Sequence, residues 1–205
     1  MKILALSDKI VPFIHSERLG ETYGDVDLAV GCGDLPARYL EYVLTVLNVP
    51  LVYVPGNHDK DDFEVQGGRS ADGRMVRANG VRILGFGGSP RYKPRGRHQY
   101  TEFEMRRRLM SFLPGILWQR MLGRRAFDIL LTHAPPRGIH DAQDPAHVGF
   151  RTFLDLIRWA RPRLMLHGHM HVIRNIERTE TKYKDTRVVN VYPHRTVSME
   201  VDQDG

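Results

Sequence analysis

The stretch Leu164-Met165-Leu166-His167-Gly168-His169-Met170-His171 decides how this chain is read: a short apolar run passes directly into three alternating imidazoles. Four other segments repeat the arrangement. Ile3 to Leu6 leads to Ser7-Asp8, and Leu28 to Val30 leads to Gly31-Cys32-Gly33-Asp34. Leu51 to Val54 leads to Gly56-Asn57-His58-Asp59, and Ile129 to Leu131 leads to Thr132-His133. Side chains at the ends of neighbouring strands converge on one point in open α/β sheets. Carboxylate, amide and imidazole groups together suit divalent first-row metals such as Mn, Fe, Zn or Ni. Taken singly, each segment has a plainer reading, because an Asp after a strand is a common turn former. Five in order, each after its own strand-like run, point to a metal centre.

The bulk properties are those of a water-exposed globular chain. Its 205 residues are 41% hydrophobic and 26% charged, which suits one domain with a substantial core. No apolar run reaches the roughly 18–20 residues of a membrane-spanning helix, so no membrane partner is expected. Only Ile3 to Leu6 is apolar before Ser7 and Asp8, so no signal peptide is expected either. Cys32 is the single cysteine, which excludes an internal disulfide and suits a reducing cytoplasm. Between two glycines it reads as a small buried thiol rather than a ligand. The net charge of +6 is carried largely by arginine and attracts phosphate-bearing partners. The arginines are dispersed, and no recognised nucleic-acid module is present, so nucleic acid is a possible but not a favoured partner.

Strand-like and helix-like segments alternate up to about residue 170. Leu40, Val43, Leu44 and Leu47 recur at helical spacing after Pro36, which reads as a first-turn proline. Thr101 to Glu104 has the form of a capping box opening a helix through Met105 and Leu109. Pro114 breaks that helix before a second one through Leu117 and Met121. Phe150, Phe153, Leu154, Ile157 and Trp159 mark another, ended by Arg161-Pro162. Later segments, Val172 to Ile176, Arg187 to Val191 and Thr196 to Val201, read as β. Residues 89–125 look like a helical insertion within a single 1–205 domain, forming either a lid over the site or a pair packed on the sheet.

The combination Gly-Asp, Gly-Asn-His-Asp, His and Gly-His-x-His resembles the calcineurin-like metallophosphoesterase family over essentially the whole chain. The resemblance implies an α/β fold of two packed mixed β-sheets flanked by helices, a four-layer α/β/β/α sandwich. It implies two divalent ions roughly 3.5 Å apart. Asp34 would bridge them, Asp8 and His171 would complete one site, and Asn57, His133 and His169 the other. His58 would lie near the leaving-group oxygen of a small phosphoester, with Asp59 orienting it. The implied reaction is direct attack by metal-bound hydroxide on a phosphodiester or phosphomonoester.

One departure stands out. The family's first motif is usually Asp-x-His, and here it is Asp8-Lys9-Ile10. Ile10 replaces a ligand, so the centre holds either two ions or only one. His15, His140 and His147 are candidates to fill the gap, and a non-catalytic interaction module on the same scaffold is the alternative function. His-Ala-Pro-Pro at 133–136 resembles one branch of the family, in which Arg137 and His147 would line the substrate pocket. Asn190, Tyr192, His194 and Arg195 are late residues that can reach the site. His167, Asp59 or Asp141 would supply hydrogen bonds behind the ligands.

Overall fold

Strand residues of this chain are apolar on both sides, and that doubles the layers they can build. The computed structural model describes residues 1–171 and 178–201. In the first sheet β1 (Lys2–Leu6) pairs in parallel with β2 (Leu28–Gly31), then come β3 (Leu51–Tyr53) and β4 (Arg69–Ser70). The second sheet contains β5 (Met75–Ala78), β6 (Val81–Phe86), β9 (Ile129–Thr132), β10 (Leu164–His167), β11 (Glu180–Tyr183) and β12 (Thr186–Asn190). Its spatial order is β11-β12-β10-β9-β6-β5, with antiparallel strands at both edges. A last strand, β13 (His194–Ser198), returns to the first sheet antiparallel to β1. The short pair β7 (Ser89–Pro90) and β8 (Gln99–Tyr100) stands apart.

Alternate residues of each strand enter different cores. Ile3, Ala5, Val30 and Val52 meet Ile83, Leu131, Leu166 and Val189 between the sheets. Leu4, Leu6 and Tyr53 face outward onto α1 (Arg18–Tyr23) and α2 (Ala37–Leu47), through Leu19, Tyr39, Leu40 and Val43. On the far side, Leu84, Leu130 and Met165 pack under α3 (Glu102–Met110), α4 (Leu113–Met121) and α5 (Arg151–Ala160). The result is the four-layer α/β/β/α arrangement. Topology then places the ends of β1, β2, β3, β9 and β10 at one edge of the sandwich.

Local details agree with local chemistry. The Thr101 hydroxyl accepts from the Glu104 N–H while Glu104 reaches back to the Thr101 N–H, a closed capping box. Pro114 sits inside the first turn of α4, where a missing N–H costs nothing. Pro36 is the cap residue of α2 rather than part of its first turn. The strands β4, β5, β6 and β11 carry weak sequence signals. Arg82 and Gly85 interrupt the apolar pattern of β6, yet it lies in the interior of its sheet. The β-like reading of Val172 to Ile176 lies outside the described residues.

Leu131 is fully buried between the sheets. Leu131→Ala is expected to lower unfolding free energy by about 2–5 kcal/mol in a denaturant titration.

Candidate metal centre

Three of the candidate ligands have a backbone that ordinary L-residues avoid: φ is 63° at Asp8, 56° at Asp34 and 65° at His169. Each follows a strand end, and the left-handed turn throws the side chain back over the sheet edge. Glycines allow the close approach this needs. Gly33 has φ 90°, and a Cβ there would stand 2.7 Å from His133 Nδ1. A Cβ on Gly168 would collide with the Ser7 hydroxyl.

The strand ends converge. One ligand atom from each of Asp8, Asp34, His133 and His169 lies within 4.8 Å of the others. His133 Nε2 is 3.3 Å from Asp34 Oδ2, 3.0 Å from Asn57 Oδ1 and 3.1 Å from His169 Nδ1. On the other flank, His171 Nε2 stands 3.6 Å from Asp8 Oδ1. The contacts therefore group Asn57, His133 and His169 with Asp34, and His171 with Asp8. This donor set of oxygens and imidazoles fits divalent first-row ions.

The other nitrogen of each buried imidazole is already committed. His133 Nδ1 is 2.7 Å from the Cys32 carbonyl and His169 Nε2 is 2.7 Å from the Ala146 carbonyl. A proton on each of those atoms leaves His133 Nε2 and His169 Nδ1 as lone pairs aimed inward. Asn57 Nδ2 donates to the Tyr92 hydroxyl at 3.3 Å, which turns its oxygen the same way. Asp8 is held by the His169 N–H and the Ser7 hydroxyl. The supporting groups Cys32 carbonyl, Ala146 carbonyl and Tyr92 have no sequence signal, since two are backbone atoms and the third lies between β7 and β8.

Charge is tightly correlated at this edge. Burial opposes the His133 cation, but the Asp34 carboxylate more than offsets it and the imidazole is pushed up to about 9. Burial likewise opposes the Asp34 anion; the charge and hydrogen bond of His133 prevail and hold it at about 2. His169 goes the other way, down to about 4, through burial and the neighbouring His133 charge. His171 is raised by the Asp8 carboxylate beside it.

A family model described as calcineurin-like phosphoesterase matches residues 1–173. The chain belongs to the calcineurin-like phosphoesterase family. TT1561 of Thermus thermophilus has a similar structure, with a TM-score of 0.61 at 18% identity, covering 93% of this chain and 88% of that one. A second crystal structure has a TM-score of 0.64 at 16% identity, covering 93% and 90%. No match was found among curated proteins.

Against that family pattern, the remaining candidates take defined places. Ile10 is 43% exposed. His15 packs edge-on against Tyr39 and Tyr42. His140 turns to His167, Nδ1 to Nε2 at 3.0 Å, and to the Thr181 hydroxyl at 3.0 Å. His167 Nδ1 in turn faces the Gly168 carbonyl. Neither His15 nor His140 thus takes the place of the missing ligand. His147 is paired with Asp144 at 2.9 Å, and its ring lies 5.3 Å from that of His169, at the rim of the centre. Arg137 points to Asp141 at 4.0 Å and is half-exposed. Asp59 Oδ2 accepts from the N–H groups of Asp34 and Gly56, so this carboxylate ties two ligand loops together. His58 is exposed, and its N–H donates to Asp34 Oδ1 at 2.8 Å. Tyr192 stacks on His171, and Asn190 donates to the Met170 carbonyl. His194 packs on Tyr23, and Arg195 reaches Thr179.

Two outcomes are expected. Loading the metal-free protein near pH 7 should release about one proton per chain, because His133 must give up its Nε2 proton. Release should fade as pH rises through about 9. Calorimetry in buffers of different ionisation enthalpy reads this number, and no proton release would contradict it. Burial also holds His140 at about 4 and His167 at about 3, both below the ordinary 6.5. At these two groups the unfolded chain binds more protons than the folded one, so their contribution to stability is full above pH 6.5 and declines as pH falls toward 4 and 3. A flat unfolding free energy across that window in the metal-free protein would overturn the assignment.

Proposed function

We propose that the protein is a metal-dependent phosphoesterase, hydrolysing a phosphodiester or a phosphomonoester without a covalent intermediate. The observation carrying this reading is the grouping of ligands on either side of Asp34, with His58 beside it. Asn57, His133, His169 and Asp34 would hold one divalent ion, and Asp8, Asp34 and His171 a second. Bound ions of this kind supply Lewis acidity toward phosphoryl oxygens and lower the pKa of water. The protein's own contribution is placement. Asp59 fixes the two loops that carry Asp34 and Asn57, and the backbone of His58 is anchored on Asp34.

His58 opens onto a cleft of about 540 Å³ lined also by Leu35, Pro36, Lys60 and Phe63. A leaving group seated there has the imidazole available to protonate its departing alkoxide. A diester is preferred over a monoester on the family likeness, and the imidazole suits an alkoxide leaving group. Arg137 and His147 would serve as substrate contacts, His147 from beside the ring of His169. Manganese is the ion to test first, residues 1–205 act as one domain, and the cytoplasm is the setting that the lone buried thiol suits.

The exposed Ile10 favours a second reading, a binding module with an impaired first metal site. Elemental mass spectrometry after dialysis against manganese separates them: about two ions per chain supports the dinuclear enzyme. One or none, with large activation by Ile10→His, supports impairment. In hydrolysis of a phosphodiester with an alkoxide leaving group, Asp34→Asn and His58→Ala should each lower turnover at least about tenfold. Only Asp34→Asn should also reduce metal uptake. Unchanged turnover in both variants would sink the assignment.

A further inference from the structure

We infer that α4 and the arginine-lined cleft beside it form a surface that docks the protein onto an anionic lipid bilayer. The first observation is an apolar stripe on the wrong side of a helix. Pro114, Leu117, Trp118, Met121 and Leu122 follow the i, i+3, i+4, i+7, i+8 pattern that ordinarily faces a core. Here Ile116 is the buried residue, and the stripe faces solvent. Trp118 is 58% exposed and Met121 79% exposed. Phe103 and Met110, seven residues apart on α3, are likewise exposed. Large apolar side chains concentrated in this way mark an interaction surface.

The second observation is charge. A cavity of about 1030 Å³ borders α4, and Arg77, Arg82, Arg120, Arg124, Arg125 and Arg161 line it. Asp128 and Asp185 are the carboxylates of that lining, each within 4 Å of an arginine, Arg82 and Arg161 respectively. The side chains of Arg107 and Arg124 make no hydrogen bond or ion pair among the described residues. Nearby Glu102 and Glu104 are spent on Thr152 and on Thr101 and Arg91. Like-signed rims oppose pairing of two copies through this face. A nucleic acid would use the arginines and leave Leu117, Met121 and Leu122 wet. An anionic bilayer uses both, with lipid phosphates at the cleft and the stripe below the headgroups. Such docking needs no spanning helix, and none of the described helices is long and apolar enough to cross a membrane.

The position is workable for an enzyme. Asp128 and Arg161 precede β9 and β10, whereas His133 and His169 follow them. The arginine-lined cleft and the metal centre therefore lie at opposite ends of the second sheet.

The test is co-sedimentation of the full chain with phosphatidylcholine vesicles, with and without phosphatidylglycerol. Retention by the anionic vesicles alone is expected. Trp118→Asp should abolish it, and Arg124→Gln should weaken it about fivefold, one basic contact's worth. Both positions are exposed, and circular dichroism checks that the variants fold; Leu122→Asp serves as a second stripe variant. Wild-type protein left in the supernatant would overturn the proposal, as would anionic-vesicle binding that survives both stripe variants. So would tighter capture by a single-stranded oligonucleotide that ignores the stripe, or a Trp118-dependent dimer in light scattering.

Discussion

The imidazole of His133 is the group through which the two sheets meet at their functional edge. It rises from the end of β9 in the second sheet, directs Nδ1 at the carbonyl of Cys32 and places Nε2 beside Asp34, both at the end of β2 in the first. Sheet-on-sheet packing between Val30, Val52, Leu131 and Leu166 sets the spacing across which this ring must reach. A fully buried imidazole without such partners would be costly. With them, it locks the tautomer that aims a lone pair at the centre. Asp34, Asn57 and His169 are located by contact with that ring, and His171 by contact with Asp8.

Holding so many like donors together has its own cost, and the surrounding chain absorbs it. Asp8, Asp34 and His169 sit in left-handed backbone, sustained by hydrogen bonds from neighbouring loops. Without an ion, a proton on His133 is the cation that Asp34 and Asp8 surround. A divalent ion held by these residues would supply that charge in its place, and proton and metal would compete for one pair of electrons. The neighbouring His140–His167 pair solves a different problem, a half-buried and a fully buried ring kept neutral and linked through one hydrogen bond. They brace the loop that carries His169 and His171 from behind.

The metal edge was largely legible in the sequence because its signals are local. An apolar run followed by a ligand-type side chain reads as a strand end, and the five such ends named from the sequence are the ends of β1, β2, β3, β9 and β10. Asp34 with its glycine, the Gly-Asn-His-Asp turn and the Gly-His-x-His loop each announce themselves. Tyr92 did not, nor did the Ala146 carbonyl: one lies in an irregular segment, the other is a backbone atom with no residue preference. The stripe on α4 was legible only as periodicity, and periodicity alone reads as a buried face.

By itself the sequence determined the central strands, the candidate ligand types and the likeness to one family, because strand periodicity and turn chemistry act over a few residues. It also contained the departure at Ile10. The tertiary structure decided which side chains face one another: that Asp59 braces loops, that His140 pairs with His167, and that the α4 stripe points outward. Those outcomes depend on contacts between residues dozens of positions apart, which only the packing of two sheets and their covering helices brings within reach.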